Sequence, residues 1–180
     1  MSYYSFFGAY TSSSTNSEDY LKGEAGTEIK FHGCSRSEAF QRACKALLDA
    51  VSGHELLRFL SDESAIHKVG TPGDVTLYTP ITPSTAEQYV AQLNSLLLYC
   101  EPQPEELATL WFNYLGGEST EDVVSALNTS QTCEDLNKTY HGDDGDSSHF
   151  AISTLKTLRA AIRQACSSDL TLVYYAWQGT

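Results

Sequence analysis

The sequence predicts an α+β domain: a small mixed sheet from N- and C-terminal strands, packed with helices, with a central helical lobe over about 84–140. Three observations lead there. Aromatic and β-branched residues gather at the two ends of the chain. Apolar residues recur at helical spacing from 84 to 140. The 180 residues, 41% apolar and 19% charged, are an ordinary globular mixture with enough chain for one core, so 1–180 reads as a single domain.

The aromatic opening from Tyr3 to Tyr10 reads as a strand, and Ser12–Ser17 as a polar loop. Glu28 to His32 alternates with period two, a second strand. A helix is expected straight after Gly33-Cys34, with Ser35 and Glu38 as a capping box and a buried stripe of Phe40, Ala43, Cys44, Leu47, Leu48 and Val51. Each large side chain of such a stripe contributes about 1.5–3 kcal/mol when covered. Gly53 is its expected stop, and Leu56, Leu57, Phe59 and Leu60 suggest a short second helix. Ile66–Val69 and Val75–Tyr78 flank a five-residue loop, a hairpin closed by Pro80 and Pro83.

Ser84 with Glu87 is a second capping box, opening a helix with Tyr89, Val90, Leu93, Leu96 and Leu97 on one face. Pro102 stops it. Pro104 suits the first turn of the next helix, whose stripe is Leu107, Leu110, Trp111, Tyr114 and Leu115, ending at Gly116-Gly117. Thr120 to Asn128 is a shorter helix with Val123, Val124 and Leu127 inward, and Thr132 to Tyr140 adds a turn or two. After the loop from Asp143 to Ser148, Phe150-Ala151-Ile152 reads as a short buried strand, Thr154 to Ser167 as a helix and Leu170 to Trp177 as a terminal strand.

Charge is the outstanding bulk property. The net charge is −12, and it is unevenly placed. Residues 101–146 hold eleven acids against the single base Lys138, while 1–100 carry a net −4 and 147–180 a net +2. The segment 84–146 is therefore an acidic helical lobe. This balance excludes a protein that grips nucleic acid through its phosphates, which needs clustered Lys and Arg. No apolar run approaches the ~18 residues of a membrane span. The N-terminus lacks a basic, signal-like region, and the five cysteines form no C-x-x-C pair. The expectation is a reducing, cytoplasmic setting with free thiols and no membrane association.

Three constellations could carry chemistry. The first is a thiol nucleophile: Cys34 before a capped helix, with His149 opening a later strand and Asp143, Asp144 or Asp146 to orient it. A helix start lowers a thiol pKa, and this order of elements matches several cysteine peptidases in outline. The bland alternative is a strand-end cysteine and a loop-edge histidine, and no catalytic residue is favoured. The second is a metal site using His32 with Cys34, or His141 and His149 with the Asp cluster. No zinc-finger spacing accompanies these residues, Asp143 to Thr154 lacks the ligand pattern of a calcium loop, and no metal is expected. No phosphate-cradling glycine motif occurs, so no cofactor is expected either.

The third is the acidic block: Glu105, Glu106, Glu118, Glu121, Asp122, Glu134, Asp135, Asp143, Asp144 and Asp146. Acids at helix starts stabilise the helix dipole, which explains some of them. The rest, almost unrelieved by bases, call for a basic partner. The expected function is a non-enzymatic, acidic inhibitor that docks on a basic, nucleic-acid-binding kind of protein surface. It would work as a DNA mimic, in the manner of phage or plasmid anti-defence proteins, without itself binding nucleic acid. A cysteine-dependent hydrolase on Cys34 and His149 is the alternative from another class. Immunity proteins and secretion chaperones share the same size and acidity.

Overall fold

A computed structural model describes residues 4–13, 30–35, 38–61, 64, 65, 67–130, 132 and 145–179. The α+β class holds. In chain order the described elements are β1 (Tyr4–Ser12), β2 (Lys30–Ser35), α1 (Ala39–Ala50), a 3-10 helix (Glu55–Ser61), β3 (His67–Thr71), β4 (Asp74–Ile81), α2 (Pro83–Cys100), α3 (Pro104–Trp111), α4 (Thr120–Asn128), α5 (Ser148–Ser167) and β5 (Thr171–Gly179).

The five strands form one sheet in the order β2-β1-β5-β4-β3. Every pairing is antiparallel, so the sheet is not mixed as the sequence suggested. The last strand lies at the centre, where it joins the N-terminal strands to the β3–β4 hairpin; Tyr4 pairs with Gly179 on one side and Asp74 with Gly179 on the other. Centrality explains the composition of β5: Leu172, Val173, Tyr174 and Ala176 are all buried, with both faces covered.

Alternate residues of the sheet face opposite ways. Ala9, Leu77, Ile81, Leu172, Tyr174 and Ala176 belong to the same core as the buried stripes of all five helices. Tyr10 and Val173 lie on the other face with Tyr78 and Tyr175, and the Tyr10 and Tyr175 rings are 6.1 Å apart. Phe59 locks the 3-10 helix into the core, edge-on to Tyr174 at 4.9 Å and Tyr89 at 5.9 Å. The α3 helix is tied to α1 by Trp111, which is 1% exposed and whose indole N–H donates to the Ala43 carbonyl at 3.0 Å.

Several boundaries differ from the sequence reading. α1 begins at Ala39, not Ser35, because β2 continues through Ser35; its N-cap is Glu38, at φ 55 and without a side-chain cap. The hairpin loop is two residues, not five, since Gly70 pairs with Val75 and Thr71 with Asp74. Gly73, at φ 91, supplies the left-handed turn after Pro72, and a Cβ at Gly70 would strike the Asp74 carbonyl oxygen. Pro83 starts α2 rather than closing the hairpin, and the capping box is Thr82 with Thr85, not Ser84 with Glu87. α3 ends at Trp111, short of Gly116-Gly117, and this leaves Tyr114 exposed rather than buried. On α4, Ala126 is buried where Val124 was expected, and Val124 faces out. Phe150-Ala151-Ile152 is the first full turn of α5 and not a strand. The expected turns over Thr132–Tyr140 lie almost wholly outside the described residues.

Candidate functional site

The acidic surface is assembled from helix starts and the turns between them. Pro104 at the first position of α3 sets its backbone, and Glu105 and Glu106 fill the exposed first turn. Six residues of turn follow Trp111. Then Ser119 caps α4: its Oγ accepts the Asp122 N–H at 3.2 Å, while the Asp122 carboxylate accepts the Ser119 N–H at 3.2 Å and its hydroxyl at 2.7 Å. These bonds from Ser119 hold the Asp122 carboxyl below the usual carboxylate range, with the charge of His149 a smaller contribution.

Glu118 has a different task. Its two carboxylate oxygens accept the Ser148 backbone N–H and hydroxyl, each at 2.8 Å. Together with Ser147 Oγ, which accepts the Phe150 N–H at 3.0 Å, it satisfies the free N–H groups that open α5. Glu118 and Asp122 are thus structural acids. Glu101, Glu105, Glu106, Glu121 and Asp146 are exposed, and none has a basic side chain within 4 Å. Between α3 and α4 lies an open groove of 570 Å³, edged by Glu105, Glu118 and Thr120 and holding the exposed ring of Phe112. The sequence reading missed Phe112. Its position one step past Trp111 put it off the stripe, and that was the available signal. Glu134, Asp135, Asp143 and Asp144 lie outside the described residues.

The catalytic candidates are placed as follows. Cys34 is within β2, paired with Phe6, and α1 starts five residues later. The helix-start argument for a lowered thiol pKa therefore does not apply to it. His149 lies in the first turn of α5, not on a strand, with Nε2 3.2 Å from Ser125 Oγ, a link between α4 and α5. Asp146 makes no hydrogen bond to it. Of the other described cysteines, Cys44 and Cys100 are buried and Cys166 is half-buried. Burial, and after it the charge of Glu101, pushes the Cys100 thiol up to about 12, which makes it inert at neutral pH. Among the described residues no group of three or more His, Cys, Asp or Glu side chains is arranged to hold a metal, and no helix is long and apolar enough to cross a membrane. His141 lies outside the described residues, and β2, which carries His32, is described by its backbone pairing.

No protein-family model, no curated protein and no solved structure matches the chain.

Proposed function

We propose that residues 101–146 are an acidic docking surface for a partner protein with a basic face, of the kind that binds nucleic acid, and that the protein acts by occupying that face. The observation that carries the reading is the ratio of eleven acids to one base in this segment. It is supported by the five exposed carboxylates that form no ion pair. Like charges held on a rigid frame repel, and a cationic partner relieves that repulsion on docking. The groove between α3 and α4 adds an aromatic anchor, Phe112, inside the acidic rim, and buried aromatics are the side chains on which binding energy concentrates.

The test is affinity capture from a host lysate at low and high salt, with the wild-type chain and the triple reversal E105K/E106K/E121K. These three acids make no hydrogen bond or ion pair through their carboxylates, so the variant is expected to keep the fold, which a thermal melt checks. The expected result is a partner retained at low salt, released at high salt and lost with the reversal. A partner held equally by both proteins at both salt concentrations would end the proposal, because exposed charges further apart than about 8 Å are screened at physiological ionic strength.

A further inference from the structure

A net-positive stretch lies on α5, where Lys156, Arg159 and Arg163 succeed one another along one side of the helix. Lys156 is engaged: its ammonium donates to the carbonyls of Leu127 and Thr129, both at 2.6 Å, and so closes the C-terminal end of α4. The two arginines form no ion pair, and the charge of Glu101 reaches Arg159 only at longer range. Arg159 donates to Asn94 Oδ1 at 2.9 Å and Arg163 to the same oxygen at 3.4 Å, and neither has a carboxylate within 4 Å. Asn94 aims both guanidinium groups without cancelling either charge. The other arginines among the described residues are paired, Arg42 with Glu38 and Arg58 with Asp49 and Glu55.

Beside this pair runs a groove of 480 Å³ between α2 and α5. A volume of this order suits a small molecule, for which sites run from about 300 to 1,000 Å³. Ala86, Val90, Ala91 and Cys166 give it an apolar lining; Arg163 and Asn94 enter it from one side. α2 and α5 run antiparallel, since Cys166 Sγ approaches the Pro83 carbonyl while Asn94 meets Arg159 and Arg163. Glu87, the groove's own carboxylate, therefore lies seven residues from Asn94 along α2, a rise of about 10 Å.

We propose that the α2–α5 groove binds a small monocarboxylate with an uncharged apolar body, its head on Arg163, with Arg159 held beside it on the shared Asn94 oxygen, and its body along Ala86, Val90, Ala91 and Cys166. A carboxylate accepts two parallel N–H bonds from a guanidinium, which a lone halide or an alcohol does not. It also relieves the repulsion between two cations one turn apart; burial and the charge of Arg163 reduce the proton affinity of Arg159, and the charge of Glu101 offsets this only in part. Glu87 disfavours a second anionic group at the far end. Lengthwise, the site selects one negative head and a neutral tail.

Calorimetric titration of the full chain with octanoate tests this, with octanol, suberate and inorganic phosphate as comparison ligands. Octanoate is expected to bind about tenfold or more tightly than octanol, the equivalent of one charge-assisted hydrogen bond. R159Q/R163Q is expected to abolish that advantage, and A91W, which fills the groove, to weaken octanoate while leaving the arginines in place. Suberate should bind more weakly than octanoate and recover in E87Q. Thermal melts of each variant confirm that the fold is kept. Equal binding of octanol, unchanged binding in R159Q/R163Q, phosphate binding as well as octanoate, or no octanoate binding at millimolar concentration would each overturn the proposal.

Discussion

Two acidic regions of this molecule handle their charge in opposite ways. On α1 and the 3-10 helix, Glu38 meets Arg42 at 3.3 Å, Asp49 meets Lys45 at 3.1 Å and also Arg58, and Glu55 meets Arg58 at 3.7 Å. On α3 and α4 the described acids form no ion pair with Lys or Arg; they are spent on helix caps, as Glu118 and Asp122 are, or stand exposed. The first region is electrically closed. The second is stable because its carboxylates sit at helix starts, yet it still presents an unbalanced field to solvent. Acid content alone does not mark an interaction surface. What distinguishes the two is whether the chain supplies the counter-charge itself.

The largest expected effect concerns the tie between these regions. Trp111 joins α3 to α1 through a buried ring and the bond to Ala43. Trp111→Ala should cost about 3–5 kcal/mol in urea unfolding. Tyr114→Ala, three residues on and 38% exposed, should cost less than about 1 kcal/mol. Equal effects would mean that α3 is not anchored by the indole.

Next comes the division of labour among the acids. Glu118→Ala strands the Ser148 N–H and hydroxyl and should cost about 1–2 kcal/mol. The reversal E105K/E106K/E121K should stay within about 1 kcal/mol of wild type, since loss of favourable dipole interactions offsets relief of repulsion. It should slow association with a basic partner more than it speeds dissociation. If Glu118→Ala were as mild as the reversal, the distinction between capping and display acids would fall.

The paired region is not uniformly satisfied. His54, between α1 and the 3-10 helix, is 7% exposed, and neither ring nitrogen has a hydrogen-bond partner. Replacing it by Leu removes an unsatisfied buried group and should raise stability by about 1 kcal/mol in thermal or urea unfolding. A loss of stability on His54→Leu would show that the imidazole has a role in this fold.

What was legible in the sequence followed from signals that local chemistry alone decides. The bounds of α4, Thr120 to Asn128, agree with the sequence pattern, although Val124 faces out where the pattern put it inward. α2 was recognised with its cap two residues late, at Ser84 instead of Thr82, since Pro83 serves a helix start as readily as a strand end. The start of α5 was misread for a physical reason. From Phe150 to Leu155 every residue is buried, so the period of 3.6 vanishes and three apolar residues in a row imitate a strand. The early helix start after Cys34 was misread because a capping box is a four-residue pattern, and the antiparallel pairing of β2 with β1, a long-range effect, overrode it. Of the candidate site, the acids were legible individually, but their sorting into caps and display was not. That Glu118 reaches Ser148, thirty residues away, is decided by tertiary packing.

The smallest expected effect separates the two regions by the origin of their lowered carboxyl pKa values. Asp49 is depressed chiefly by its bond to Arg58 and then Lys45, cations that salt screens. Asp122 is depressed chiefly by the hydroxyl and N–H of Ser119, neutral donors that salt leaves alone. In a carboxyl-carbon NMR titration, the Asp49 midpoint should rise toward the ordinary aspartate value of 3.8 as salt increases, while that of Asp122 should barely move. The sign for stability is the same in both. A folded-state pKa below the unfolded one contributes stability that is complete above the unfolded value, near 3.8, and is lost as pH falls through the folded value. Both contributions therefore disappear in acid, but high salt should already have weakened the Asp49 contribution at neutral pH. Removing Asp49 by Asp49→Asn should accordingly abolish part of the salt dependence of unfolding, whereas Asp122→Asn should remove acid sensitivity and leave the salt dependence alone. Identical salt responses at the two sites would mean that the ion pairs on α1 are formed only weakly in solution, and the contrast between a closed and an open charge region would then rest on composition rather than on contacts.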